Sequence, residues 1–306
     1  MAEDNPAGRK PSEPAKPALH AAAHRLGEIE ALDAPAQKIG AVVRNVLGPG
    51  KVKNALSGTF LGHALHPLLT DIPIGTWTSA MILDLAGGQD SEKAARRLIG
   101  AGILAALPTA ASGYSDWADT EMASDSARRV GIVHAAANVT ALSLYTASYL
   151  ARRRGRHGTG VALGLVASGA IGVGGHLGGH LSYVQGVGVA QTTFEEGPAD
   201  WTPTMPVSEL PEGSTACADA GGVPVFLAQQ GGRIYALSNH CTHRGGPLDQ
   251  GELSDGCITC PWHDSRFRLS DGSVEQGPAT SPQPAFETRV SDGQIEVREA
   301  TDPTPN

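Results

Sequence analysis

Four long, nearly uncharged stretches dominate the middle of the chain. Residues 65–87 carry only Asp71 and Asp84. Residues 98–115 lie between Arg97 and Asp116, and residues 130–151 between Arg129 and Arg152. Residues 158–189 hold no charge apart from histidine. About 20 apolar residues cross a bilayer, so the pattern predicts a four-helix transmembrane bundle over 63–189. A water-soluble bundle would need a polar stripe on each helix. The third stretch offers only Ser, Thr, Asn and His for one. Upstream, Ala36, Ile39, Val42, Val43, Val46 and Leu47 recur at helical spacing with Lys38 and Arg44 between them. Gly48-Pro49-Gly50 then breaks the helix. Two readings of this amphipathic segment stay open: a helix lying on the membrane surface, or one packed on neighbouring protein. Residues 1–18, rich in Pro, Ala and charge, read as a disordered tail. Residues 1–62 thus form one region, tail plus amphipathic helix.

After residue 190 the period changes. A linker over 190–203 contains Pro198 and Pro203 among Glu195, Glu196 and Asp200. Beyond it, residues 223–228 and 233–237 read as strands around the turn Gln229-Gln230-Gly231-Gly232. Ser-Asp-Gly recurs at 254–256, 270–272 and 291–293, each time between apolar runs, which is a hairpin signal. Residues 204–300 are therefore expected to form a small all-β domain. The fold class is α + β multidomain: the transmembrane bundle, then the β-domain.

Charge sharpens the division. The net charge of −8 falls entirely after residue 200, where 6 Lys/Arg face 14 Asp/Glu; the preceding residues are neutral. With no basic region, nucleic acid is excluded as an expected partner. The acidic half would favour a basic docking partner, or simply keep the domain soluble. There are four cysteines. Two of them, Cys217 and Cys257, are expected to be core thiols, with a disulfide between them as the alternative.

The candidate chemistry lies in two boxes, Cys241-Thr242-His243 and Cys260-Pro261-Trp262-His263, with sixteen residues between His243 and Cys260. Structural zinc sites group cysteines with cysteines and histidines with histidines. Here each half supplies one thiolate and one imidazole, the donor set of a [2Fe–2S] centre with thiolates on one iron and imidazoles on the other. Together with Gly277-Pro278-Ala279, these boxes resemble the Rieske ferredoxin-type domain over nearly all of 204–300. The resemblance implies that Cys241 and Cys260 hold the inner iron, that His243 and His263 hold an outer, exposed one, and that residues 277–279 cover the cluster. High-potential members have a disulfide whose positions here are Gly246 and Trp262, and a Tyr where this chain has Phe267; Ser265 matches their serine. A lost donor lowers the potential, as would the carboxylate of Asp264, where the family usually has Gly. The expected potential is low to middle within the Rieske range.

Leu65-His66-Pro67-Leu68-Leu69-Thr70-Asp71, Ser112-Gly113-Tyr114-Ser115-Asp116-Trp117, Val133-His134-Ala135 and residues 174–180 (GGHLGGH) resemble a second family, the DUF2231 membrane domain, over about 60–190. That family brings no established activity. Four spans would place His66, His134, His176 and His180 in the leaflet nearest the β-domain. Ionisable groups in a membrane are costly and usually functional. Three readings stay open: a b-type haem held by two of these histidines, a quinone site, or hydrogen-bonded helix packing.

The chain is thus expected to be a multi-pass cell-membrane protein carrying a [2Fe–2S] cluster. It would act as an electron-transfer component of an oxidoreductase system with a redox partner protein, or alternatively as a redox-sensing or assembly module. The side of the membrane is open. Lys93, Arg96, Arg97 and Arg152–Arg156 place the far loops in the cytoplasm, whereas the missing disulfide matches cytoplasmic Rieske ferredoxins.

Overall fold

The computed structural model describes residues 17–300; residues 1–16 of the expected tail lie outside them. Seven α-helices come first: α1 (Ala18–Leu26), α2 (Asp33–Val46), α3 (Lys51–Ser57), α4 (Leu65–Ala86), α5 (Glu92–Ala123), α6 (Asp125–Arg153) and α7 (His157–Tyr183). The expected four-helix transmembrane bundle is corrected in two respects. Three short helices precede the four long ones and pack on them. Among the described residues three helices, not four, are long and apolar enough to cross a membrane by length and composition: α5, α6 and α7. In α4, Asp71, Asp84, Pro73 and the hydroxyls of Thr70, Thr76, Thr78 and Ser79 dilute the apolar stretch.

Local chemistry sets the breaks. Ser124 ends α5 and caps α6, its hydroxyl accepting from Ala127 N at 3.2 Å. Gly155, at φ +75°, reverses the chain between α6 and α7. In sequence order the long helices pack α4 on α5, α5 on α6 and α6 on α7, and α7 closes against α4. Their shared core joins Trp77, stacked on Tyr145 at 4.2 Å, with Ala80, Ala95, Ile99 and Ala167. Small residues on facing helices bring the backbones together. At one end the buried Arg152 guanidinium grips both oxygens of Asp84, at 2.7 and 2.5 Å.

The amphipathic segment packs on protein along one face. Ala36 and Gly40 are buried, Gly40 against Glu121. Arg44 pairs with Glu121, and the Asp33 carboxylate accepts from Arg128 and Arg129. Its other face leaves Ile39, Val42 and Val46 exposed.

Ten antiparallel strands follow: β1 (Thr202–Pro206), β2 (Thr215–Asp219), β3 (Pro224–Gln230), β4 (Arg233–Ser238), β5 (Glu252–Ser254), β6 (Cys257–Thr259), β7 (Arg266–Arg268), β8 (Val274–Gln276), β9 (Ala285–Ser291) and β10 (Gln294–Glu299). They form a six-stranded sheet in the order β1-β10-β9-β4-β3-β2 and a four-stranded one in the order β5-β6-β7-β8. Phe226 and Leu237 of the first sheet and Ile258 and Phe267 of the second share one core and are fully buried. Burial of side chains this size stabilises a domain by about 1.5–3 kcal/mol each. The β3–β4 turn is shorter than the expected four residues: Gln230 pairs with Arg233, leaving Gly231-Gly232. Both are at positive φ, and both N–H groups donate to Glu212. Two of the Ser-Asp-Gly segments make the same kind of turn, with Asp255-Gly256 and Asp292-Gly293 at positive φ. In the third, only Gly272 has positive φ.

The expected linker is tied down. Gln191 N donates to Thr242 O at 2.9 Å, and Glu195 accepts from Ser238 and contacts His240 Nδ1 at 2.6 Å. All four cysteines are free. Cys257 is buried as expected of a core thiol. Cys217 is exposed, because its position on β2 faces outward.

Candidate metal centre and its helical platform

Two short loops project from the end of the β-domain, and their backbones match. In the first, Gly245 N donates to Cys241 O at 2.8 Å and Cys241 N to Gly246 O at 2.9 Å. In the second, Asp264 N donates to Cys260 O at 3.2 Å and Cys260 N to Ser265 O at 2.8 Å. The fourth residue after each cysteine has positive φ: +74° at Gly245 and +60° at Asp264. Asp is among the few residues besides Gly that adopt this conformation readily, which explains how Asp264 fits where glycine is usual.

These loops bring all four residues of the two boxes together. Cys241 and Cys260 are buried and hydrogen-bonded through sulfur. The His243 and His263 rings meet edge to face, with centroids 5.0 Å apart. The hydrogen bond from Cys241, aided by the backbone N–H groups of Trp262 and His263, brings the Cys260 thiol down to about 7. The Cys241 thiol is pushed up by that shared proton and by burial. Burial lowers both histidines, His243 most strongly, so both are neutral imidazoles at neutral pH. His243 Nδ1 and His263 Nε2 are buried without a hydrogen-bond partner among the described residues.

This donor set fits a [2Fe–2S] cluster: two sulfurs side by side, two neutral imidazoles side by side, and orphaned ring nitrogens. Among the described residues no three such side chains converge on a single-ion position. A two-iron cluster instead asks for ligands divided two and two. Gly246 is required by space, since a Cβ there would stand 2.8 Å from Cys260 Sγ and 3.0 Å from Trp262.

Support comes from one residue that the motif did not point to, Gln283, and from Ser265, which the resemblance singled out. Gln283 is buried; its Oε1 accepts from Thr242 N at 3.0 Å, and its Nε2 donates to the carbonyls of Ser238 and His240. The Ser265 hydroxyl, fully buried, accepts from Ala279 N at 2.9 Å and so holds the 277–279 segment over the site.

The two histidines are not exposed, contrary to the expectation for an outer iron. The helical domain covers them. His243 Nε2 lies 3.5 Å from Asp119 Oδ2 on α5. Asp119 pairs with Lys53 of α3 at 2.8 Å, and both side chains are almost wholly buried. Gly277 N donates to Asn54 Oδ1 at 3.0 Å, and Thr59 Oγ1 donates to Ala279 O at 3.2 Å. Arg244 completes the contact beside Asp116 and Asp119. No local pattern marks Lys53, Asn54 or Asp119 in the sequence.

The four membrane-domain histidines separate into two pairs. The His66 and His134 rings lie 6.4 Å apart. His66 Nδ1 donates to Thr109 O at 3.0 Å and His134 Nδ1 to Gly174 O at 2.8 Å. Since a carbonyl only accepts, the Nε2 atom of each neutral ring keeps its lone pair. The His134 Nε2 lone pair faces the Asn138 amide at 3.1 Å. Gly113 and Gly178 make room for these rings; a Cβ at Gly113 would lie 2.6 Å from His66. His176 and His180 turn instead to α1, with His176 Nε2 3.3 Å from Leu19 O and the His180 ring 5.7 Å from that of His20.

Comparison with known proteins matches the two domains separately. A Rieske [2Fe-2S] domain model matches residues 200–287, and the predicted membrane protein model DUF2231 matches residues 62–191. The anthranilate 1,2-dioxygenase ferredoxin subunit of Burkholderia cepacia is 31% identical over 74 residues, 24% of this chain and 68% of that protein. Apoptosis-inducing factor 3 of Mus musculus is 38% identical over 66 residues, 22% of this chain; the match spans only 11% of that protein's length. Among solved structures, the ferredoxin of carbazole 1,9a-dioxygenase from Nocardioides aromaticivorans IC177 is 27% identical, with 33% of this chain and 100% of that one covered, at a TM-score of 0.32.

Proposed function

The chain belongs to the Rieske [2Fe–2S] family through its β-domain and carries a DUF2231 predicted membrane domain, and from this premise we propose that it is a membrane-anchored one-electron carrier. Cys241 and Cys260 hold the inner iron and His243 and His263 the outer one. The cluster, when bound, supplies reversible one-electron chemistry. The protein supplies the rest: neutral imidazoles, buried thiolates, backbone N–H groups directed at sulfur, and the Ser265–Ala279 contact that closes the site against water. The helical region over 63–189, through its three long apolar helices α5, α6 and α7, anchors the domain of 204–300 in a cell membrane.

The observation that supports this reading best is the seating of the cluster face on the helical domain. From Asp119, six residues along α5 lead to Gly113, where His66 packs, a rise of about 9 Å. A redox group at the His66–His134 pair, either a b-type haem or a quinone, is therefore the cluster's nearest exchange partner within the chain. The relatives with the strongest bearing are ferredoxin subunits of dioxygenases, which supports electron carriage as the role of the β-domain. A separate redox partner protein completes the circuit.

The test is a reduced-minus-oxidised optical spectrum of the full chain in detergent. The expected result is the broad Rieske absorbance plus a sharp haem α-band that disappears in His66→Ala and His134→Ala and persists in His176→Ala. Rieske bands alone would remove the haem and leave the pair to a quinone. Absence of the Rieske bands from iron-replete protein would overturn the carrier.

A further inference from the structure

The contact between the two domains is charged, buried and paired. Asp119 Oδ2 lies between two partners, Lys53 Nζ at 2.8 Å and His243 Nε2 at 3.5 Å. The second distance is too long for a formed hydrogen bond; with the His243 ring held neutral by burial, it is a contact between a ring nitrogen and a carboxylate. Lys53 Nζ is held in place by Ser115, donating to its carbonyl at 2.8 Å and to its hydroxyl at 3.0 Å. Arg244 of the first cluster loop lies beside this pair, close to Asp119 and Asp116. Lys53 and Asp119 are each almost wholly screened from solvent. Charges removed from water act over longer distances than surface charges.

We infer that Asp119 and Lys53 of the helical domain are positioning residues for the cluster. They form an ion pair whose two members act on the same outer histidine with opposite sign and so set the reduction potential from outside the β-domain. The inference rests on the cluster reading above, with His243 as a ligand of the outer iron. Reduction adds one negative charge to the cluster. A carboxylate next to the ligand's far nitrogen opposes that charge, and an ammonium favours it. In the native pair the two effects largely offset one another. Removing either member leaves the other acting alone.

A potentiometric titration followed by electron paramagnetic resonance, on the full chain in detergent at one fixed pH, reads this directly. Asp119→Asn is expected to favour the reduced cluster by about tenfold, an upward shift of about 59 mV for one electron. Lys53→Met is expected to shift the potential downward by a similar factor. The double variant should return close to the parent value. A merely structural role predicts something else: both single variants would loosen the same contact, expose the same histidine and move the potential in the same direction. Shifts of one sign, or none, would overturn the inference while leaving the cluster reading intact. Loss of the Rieske signal from the parent protein would sink the cluster reading itself, so the two failures are distinguishable. If Asp119→Asn does not yield folded protein, Lys53→Met alone carries the test, since only an unbalanced Asp119 lowers the potential; an unchanged or raised value overturns it.

Discussion

The cluster loops and the membrane-domain histidines both place imidazoles near one another, yet they do so by different means. In the β-domain, each ligand pair sits in one short loop whose own backbone closes on the cysteine, as in the matching bonds at Cys241 and Cys260. Geometry is local there, and the sequence spacing shows it. In the helical domain, His66 and His134 lie on two helices, 68 positions apart in sequence, and meet only because Gly113 and Gly178 leave room. Geometry there is a consequence of packing. A local site tolerates change elsewhere in the fold; a packed site does not.

The largest effect should come from the loops themselves. Cys260→Ser removes one of two inner thiolates, and the full chain should purify with the cluster's resonance signal lost while helicity by circular dichroism stays unchanged. Retention of a normal signal would break the assignment of the inner ligands.

Gly113→Ala probes the packed site. The new methyl would meet the His66 ring at a distance that forces a shift. Overpacking of this kind costs about 1–3 kcal/mol, so the helical domain should melt earlier in detergent, with the Cys260-dependent signal still present. Equal loss of signal in both domains would show that the two regions are not separable.

The smallest effect lies within the helical domain, where α2 is tied to α6 through Asp33. Arg129, with Arg128, holds the Asp33 carboxyl down to about 2, below its ordinary value of 3.8. A lowered acid stabilises the folded state at pH values above 3.8, and the contribution is lost as pH falls through about 2. Hydrogen-exchange protection of α2 should therefore decline across that window before protection of the α5–α6 pair does. Asp33→Asn should abolish the difference between the two; an unchanged pH dependence in that variant would remove Asp33 as the cause.

Much of the molecule was legible in its residues. The two boxes, the change of period after residue 190 and the hairpin signals located the β-domain and its four candidate ligands. Apolar length located three helices able to cross a membrane, α5, α6 and α7. These features are readable because each arises within a few residues: a loop's ligand spacing, a strand's alternation, a span's composition. The fourth expected span, α4, falls short by composition because Asp71, Asp84 and its hydroxyl residues dilute its apolar stretch. The covering of His243 and His263, the Lys53–Asp119 pair that links α3 to α5 beneath them, the brace of Gln283, and the separation of four histidines into two pairs were decided by tertiary structure alone. Each joins residues tens to more than two hundred positions apart, as Asn54 and Gly277 are, and no local propensity carries information across that distance. What brings such residues together is the burial of complementary surfaces, which exists only once both surfaces have formed.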